Sequence, residues 1–219
     1  MLGLAAPEPL RVGPYADRVS FSVLVVCLAN VCRSPLGERL LAHRLEERGV
    51  GEAFDVSSAG VRAMEGRAMS PQSAVELEVR GGSAEGFAPT QMSREHRSSD
   101  LVLVATRELR SKVLEQFPGL MKRTFTVREL PALLDHLAAT DPGTLAEAAS
   151  PADLVRLASA RRNEISLGDD ADVPDPIGRS DEVYAEVAVM LDDALTSLAD
   201  RLAALEGVRA ATPAEETHA

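Results

Sequence analysis

Apolar positions along the chain form short continuous runs that are separated by longer segments of helical period. The runs from Phe21 to Val26 and from Leu101 to Ala105 are rich in valine and leucine, which is typical of strands buried on both faces. Weaker runs from Ala53 to Ser58 and from Arg123 to Val127 predict two more strands. The pattern therefore predicts about four strands.

Segments of helical period lie between these runs. After the first strand, leucines recur along one face of a predicted helix, at Leu36, Leu40, Leu41 and Leu45. Further helices are predicted at 71–80, 108–117, 129–137 and 151–162, and from about residue 180. Because strands and helices alternate, we expect an α/β fold: a doubly wound, about four-stranded parallel sheet with helices on both faces.

The chain of 219 residues is long enough for one domain with a large core. Residues 1–20 hold several prolines and show no period, so we expect a flexible extension there. The domain should occupy 21–206, interrupted by an alanine-rich insertion at about 138–170 that is too short to bury a core of its own. We expect 207–219 to form a disordered tail.

The net charge of −11 argues against nucleic acid or an anionic membrane as partner. No secretory signal is evident in 1–20, and no apolar run approaches the roughly 20 residues that span a bilayer. Arginine is used far more than lysine and alanine is abundant, which suggests a GC-rich bacterial genome. We expect a cytoplasmic protein. The histidines at 43, 96 and 136 have no ligand partners at suitable spacing, so no metal site is predicted.

A thiol and a guanidinium flank the loop between the first strand and the first helix. Such a loop directs backbone N–H groups inward as an anion cradle, and Arg33 adds a planar fork that can hold two phosphate oxygens. The same positive field would stabilise Cys27 as a thiolate nucleophile. The alternative is that the pattern arises by chance, with Cys27 a small residue of the core and Arg33 a cap of the helix. The predicted phosphate-binding residues are Leu28, Ala29, Asn30, Val31, Cys32, Arg33 and Ser34.

Cys27 and Cys32 are the only cysteines, which excludes a framework of structural disulfides. They are either two reduced thiols or the partners of a reversible Cys27–Cys32 disulfide that protects the nucleophile from over-oxidation. Both interpretations stay open.

Expulsion of an alkoxide or phenoxide from a phosphoester needs a proton donor. Asp175 lies between Pro174 and Pro176 in a stiffened loop, and burial near a negatively charged thiolate and phosphate would favour its protonated form. By itself the segment would be an ordinary Asp-Pro turn. Combined with the Cys27 loop, it indicates a general acid.

These features resemble the low-molecular-weight protein tyrosine phosphatases. The likeness covers roughly Phe21 to Leu205 and rests on CLANVCRS, on SSAG at 57–60, on SDLVLVAT at 99–106 and on VPDP, in that order. It implies that Cys27 forms a phosphocysteine, that Arg33 binds the phosphoryl oxygens and that Asp175 protonates the leaving group and then activates water. It also implies that Asn30 holds a strained loop backbone, that Ser34 donates to the thiolate and that no metal or cofactor is needed.

The chain departs from that family at the loop and at the substrate pocket. Ala29 replaces a usual glycine, and Ile177 replaces the aromatic residue that usually follows Asp-Pro. We expect Met64 and Ile177 to line an apolar pocket without aromatic walls. Val31, where arginine-directed relatives carry threonine, favours an aryl phosphate over phosphoarginine.

The predicted function is hydrolysis of phosphotyrosine, an aryl phosphate, in a phosphorylated protein substrate, and weak homo-oligomerisation is left open. One alternative is an arsenate reductase coupled to a low-molecular-weight thiol, since no cysteine follows Cys32. Another is a non-catalytic phosphoprotein-binding relative, against which the presence of Cys27, Arg33 and Asp175 counts.

Overall fold

Four parallel strands form the centre of the fold in a computed structural model that describes residues 20–211, with side chains up to 206. The strands are β1 (Phe21–Cys27), β2 (Phe54–Gly60), β3 (Leu101–Val104) and β4 (Thr124–Thr126). Their order in the sheet is β2-β1-β3-β4 and all are parallel, which confirms the predicted parallel sheet.

Helices lie in or near each segment where helical period predicted them. The second one begins where expected, since the Ser73 N–H donates to Ser70 Oγ at 3.2 Å as an N-cap bond. The helices are α1 (Arg33–Glu47), α2 (Pro71–Val79), α3 (Arg107–Gln116), α4 (Glu129–Thr140), α5 (Pro142–Ala146), α6 (Pro151–Arg161) and α7 (Asp181–Ala211).

The core has two layers because side chains of β1 alternate between the two faces of the sheet. Val23 and Val25 pack with residues of α1, α4, α6 and α7. Leu24 and Val26 pack on the other face, with residues such as Leu109 of α3. Helices therefore cover both faces, as the sequence predicts.

The predicted insertion at 138–170 is part of this core. Helix α4 crosses its boundary and ends at Thr140. From α6, Leu154 and Val155 are buried in the same cluster as α4 and α7. Arg162, just past α6, lies 4.1 Å from the centre of the Phe125 ring of β4 and donates to the Thr124 carbonyl at 2.6 Å.

The ends of the domain differ in part from the prediction. Helix α7 continues to Ala211, so residues 207–211 have helical backbone where we predicted disorder. Residues 1–19 and 212–219, which hold most of the predicted extension and tail, lie outside the described residues. Among the described helices, none is both long and apolar enough to cross a membrane.

The sheet topology places Cys27 at a predicted ligand crevice. Strand β1 lies between β2 and β3, so the connection after β1 leads to one side of this strand and the connection after β2 crosses back to its other side. Ligands of such sheets bind outside the carboxyl ends of the strands at this reversal. Cys27 is the last residue of β1.

Candidate active site

The loop from Cys27 to α1 is held by one residue in a left-handed conformation. Asn30 has φ of 55°, and no other non-glycine residue of the described chain has positive φ. Asparagine tolerates this region better than most residues. Ala29, which replaces a usual glycine, is therefore not strained by a positive φ, because the left-handed turn falls on the next residue.

The Asn30 side chain connects the loop to three other segments. Its Nδ2 donates to Ser34 Oγ and to Ser58 Oγ, each at 2.8 Å. Its Oδ1 accepts from the Thr90 N–H at 2.7 Å. Since Asn30 is fully buried, these bonds fix the loop against α1, β2 and the segment before β3.

The Cys27 sulfur lies at the centre of the loop and accepts two hydrogen bonds. Ser34 Oγ donates to it at 3.0 Å and the Asn30 N–H donates at 3.3 Å. Donors of this kind stabilise a negatively charged sulfur and orient it. The expected bond from Ser34 is therefore present.

The loop also offers donors to an anion. Arg33 is 5% exposed, and its Nε is buried with no partner in the described chain. No protein acceptor within the described residues pairs with the N–H groups of four loop residues, Leu28, Ala29, Val31 and Cys32. Together these donors fit the oxygens of a phosphoryl group.

Asp175 reaches the same site from a segment 142 residues away in the chain. Its Oδ2 accepts from Arg33 Nη2 at 2.6 Å, while Arg33 Nη1 donates to the Val173 carbonyl at 3.1 Å. We expected a buried carboxyl, and this is wrong: the side chain is 41% exposed and lies beside a cation. The turn around Pro174 and Pro176 presents it at the mouth of the site.

The Asp175 segment is attached to the sheet at the end of β3. The Val173 N–H donates to the Ala105 carbonyl at 2.8 Å, and the Arg107 N–H donates to Asp172 Oδ1 at 2.8 Å. Burial raises the pKa of Asp172, but hydrogen bonds from Arg107 outweigh it and hold that pKa below its usual value. The ionised carboxylate thus keeps the segment in place.

Met64 and Ile177 lie on the two loops that flank the phosphate loop. The Met64 N–H donates to the Ala29 carbonyl at 2.9 Å, and the Ile177 N–H donates to Asp175 Oδ1 at 3.2 Å. Their side chains are 44% and 48% exposed. An apolar substrate pocket between these two side chains stays a prediction.

Gly60, the last residue of the SSAG sequence, allows the end of β2 to pack under the loop. A Cβ there would lie 2.8 Å from the Leu28 carbonyl oxygen and 3.1 Å from the Ala29 carbonyl carbon. The Val61 and Arg62 N–H groups then donate to the carbonyls of Cys27 and Leu28. Only glycine permits this approach.

Tyr184 and Glu38 support the site and were not predicted. The Tyr184 hydroxyl lies 3.9 Å from Cys32 Sγ, and Ser58 Oγ donates to Glu38 Oε2 at 2.5 Å. Burial raises the pKa of the Cys32 thiol, and its hydrogen bonds oppose this only in part. Both residues lie within amphipathic helices, where sequence reasoning cannot separate them from ordinary helix positions.

Both cysteines are free and buried, and a reversible Cys27–Cys32 disulfide stays a prediction. Within the described part of the chain, no cluster of three or more His, Cys, Asp or Glu side chains is arranged to hold a metal ion.

A family model described as low molecular weight phosphotyrosine protein phosphatase matches residues 22–150, which include the Cys27 loop and all four strands but end before Asp175. A protein-arginine-phosphatase of Geobacillus stearothermophilus is 28% identical over 184 residues, 84% of this chain and 94% of that protein.

AmsI of Erwinia amylovora, named a probable low molecular weight protein-tyrosine-phosphatase, is 38% identical over 88 residues, 40% of this chain. Those residues span 57% of AmsI, a little over half its length. The AmsI crystal structure superposes with a TM-score of 0.61 at 23% identity, covering 84% of this chain and 94% of that one. This likeness confirms the fold.

Proposed function

Because this chain belongs to the low molecular weight phosphotyrosine protein phosphatase family, we propose that it hydrolyses phosphotyrosine in protein substrates through a phosphocysteine on Cys27. The observation that carries this is the Cys27 sulfur, which receives two hydrogen bonds inside a loop that also presents Arg33. A phosphorylated protein is the substrate class of the family. The need for a reduced nucleophile suits a cytoplasmic setting.

In the first step the Cys27 thiolate attacks phosphorus, so an S–P bond forms as the bond to the tyrosine oxygen breaks. Arg33 and the loop N–H groups stabilise the charge on the equatorial oxygens. The electron pair leaves with the phenolic oxygen, which takes a proton from Asp175. In the second step the oxygen of a water molecule attacks phosphorus while Asp175 accepts a proton from that water. The S–P bond breaks, which returns the Cys27 thiolate and releases phosphate.

Asp175 must leave Arg33 before it can act as an acid. In the structure its carboxylate is ion-paired with Arg33 at 2.6 Å. A phosphate dianion competes for the same guanidinium with the charge-assisted, bidentate geometry that arginine favours. We infer that substrate binding breaks the Arg33–Asp175 pair and frees the carboxyl to take up a proton and face the leaving oxygen.

Leaving-group dependence tests this assignment. Asp175→Asn should lower kcat for a phosphotyrosine peptide by about 10²- to 10⁴-fold, the usual contribution of a general acid. The loss should be smaller with p-nitrophenyl phosphate, because nitrophenolate leaves without much help from a proton. Cys27→Ser should abolish turnover of both substrates.

Asp170→Asn is the matched control, since Asp170 is an exposed carboxylate in the same acidic segment and forms no ion pair within the described residues. It should leave kcat unchanged. Circular dichroism and titration with inorganic phosphate should show that Cys27→Ser still folds and binds the anion. Substantial turnover by Cys27→Ser would rule out the phosphocysteine mechanism, and equal losses with both substrates would remove Asp175 as the acid.

Phosphoarginine is the second candidate substrate, because the long match to a protein-arginine-phosphatase covers 84% of this chain. Val31 supports the tyrosine assignment. Matched peptides with phosphotyrosine or phosphoarginine give the comparison: a higher kcat/KM with phosphoarginine would overturn our proposal. Arsenate reduction with a low-molecular-weight thiol, in a protein inactive on both peptides, would identify the reductase instead.

A further inference from the structure

A cavity opens at the end of the sheet opposite to Cys27. It has a volume of about 490 Å³ and lies between the 3-10 turns at 94–98 and 118–123 and the end of α3. These turns precede β3 and β4, whereas Cys27 ends β1. Since all four strands are parallel, the cavity lies at their amino ends and is separate from the phosphate loop.

Three arginines line this cavity: Arg94, Arg97 and Arg123. None of them forms an ion pair within the described residues, although the chain carries a net charge of −11. Elsewhere in the described chain most arginines pair with carboxylates, as Arg107 does with Asp172. No acidic side chain lines the cavity. It is therefore a local concentration of uncompensated positive charge in an acidic protein.

Arg123 is held in place and keeps an unused donor. Its Nη2 donates to the Arg97 carbonyl oxygen at 2.8 Å, which connects the two turns. Its Nε is buried without a partner in the described chain. The bond to Arg97 fixes the charged Arg123 guanidinium at the wall of the cavity, where no acidic side chain lies beside it.

The remaining wall is partly apolar, with Phe117 and Pro118. The volume of about 490 Å³ lies within the roughly 300–1,000 Å³ that is typical of cavities that bind small molecules. We propose that this cavity binds a small phosphorylated molecule with several anionic groups. The phosphates contact Arg94, Arg97 and Arg123, and the rest of the molecule lies against Phe117.

Calorimetric titration with inorganic tripolyphosphate tests this site. The full chain is first saturated with orthovanadate, which occupies the Cys27 loop. We expect one tripolyphosphate to bind per chain, with an affinity that falls as salt is added. The double variant Arg94→Ala and Arg97→Ala changes two exposed side chains, and it should weaken binding by about tenfold or more.

Arg128→Ala is the control, since Arg128 also lacks an ion pair among the described residues and follows the carboxyl end of β4, whereas the cavity lies before the amino end of that strand. It should leave tripolyphosphate binding unchanged. Absence of binding to the vanadate-saturated chain would overturn the proposal. So would unchanged binding in the double variant, or equal weakening in Arg128→Ala, because the charge effect would then not be local. Unchanged p-nitrophenyl phosphate turnover confirms that the variants are folded.

Discussion

At the scale of single residues, Asn30 has two tasks in the phosphate loop: its backbone turns the loop, and its side chain connects the loop to neighbouring segments. Its backbone adopts the left-handed conformation that turns the loop, and its N–H donates to the nucleophilic sulfur. Its amide group connects Ser34, Ser58 and the Thr90 N–H. Because the backbone of Asn30 turns the loop and its buried side chain connects the loop to its surroundings, the loop geometry depends on asparagine at this position rather than on the glycine that Ala29 replaces.

Substitutions of Asn30 separate the two tasks. Asn30→Gly accepts positive φ but loses the amide bonds, whereas Asn30→Ala loses both. We expect both variants to lose about 10²-fold in kcat/KM, on the scale of one lost oxyanion donor. Asn30→Ala should also be less stable than Asn30→Gly by about 1 kcal/mol, the cost of a left-handed alanine. Phosphatase kinetics and urea unfolding measure the two effects. Wild-type activity in Asn30→Gly would show that the amide bonds are dispensable.

At the scale of elements, a polar chain connects α1 and β2 beneath the loop. Glu38 of α1 accepts from Ser58 of β2, which accepts in turn from Asn30. Burial raises the pKa of Glu38 above its ordinary 4.5, since hydrogen bonding to Ser58 and the charge of Arg39 only partly oppose it. The fold therefore favours the protonated carboxyl, and the ionised form at neutral pH reduces stability.

Glu38→Gln should therefore stabilise the protein in a pH-dependent way. Below pH 4.5 both folded and unfolded wild type carry the proton, so variant and wild type should unfold at similar temperatures. As pH rises toward the folded pKa, wild type loses stability and the variant does not, so the difference in Tm should grow and then level off.

Glu47→Gln is the matched control, on the same helix. A hydrogen bond from Arg44 lowers the pKa of Glu47, so that carboxylate adds stability above pH 4.5 that is lost as pH falls through its folded pKa. Its variant should be slightly less stable at neutral pH, a small effect because the pair is exposed. A Tm difference for Glu38→Gln that is the same at pH 4 and pH 8 would contradict our account.

Local sequence predicts the phosphate loop well because its chemistry is contained in eight consecutive residues after a strand. The Arg33–Asp175 pair joins residues 142 apart, and only the sheet topology and the Val173 bond to Ala105 bring them together. The exposure of Asp175 was mispredicted for the same reason. Tyr184 resembles any apolar-face position of α7, so its contact with Cys32 left no sequence signal.

At the scale of the whole molecule, the core extends past the residues that the family model matches. That match ends at residue 150, yet α6 begins at Pro151 and buries Leu154 to 3% exposure. The sequence pattern predicted helix α6, but we predicted that 138–170 is an insertion in the domain rather than part of its core. The structure instead places α6 beside the start of β4, where Arg162 covers Phe125. The segment therefore closes one end of the core.

If α6 is part of the core, removing one of its buried side chains should destabilise the whole protein. Leu154→Ala should lower the free energy of unfolding by about 2–5 kcal/mol, the cost of a buried leucine cavity. Urea unfolding followed by circular dichroism and by loss of phosphatase activity should show one common, shifted transition, because the active site and α6 share one core. Val79→Ala is the control, since Val79 is 76% exposed, and it should change stability by less than about 0.5 kcal/mol. Activity that persists while part of the helical signal is lost would show that 141–167 unfolds separately and would refute the single core.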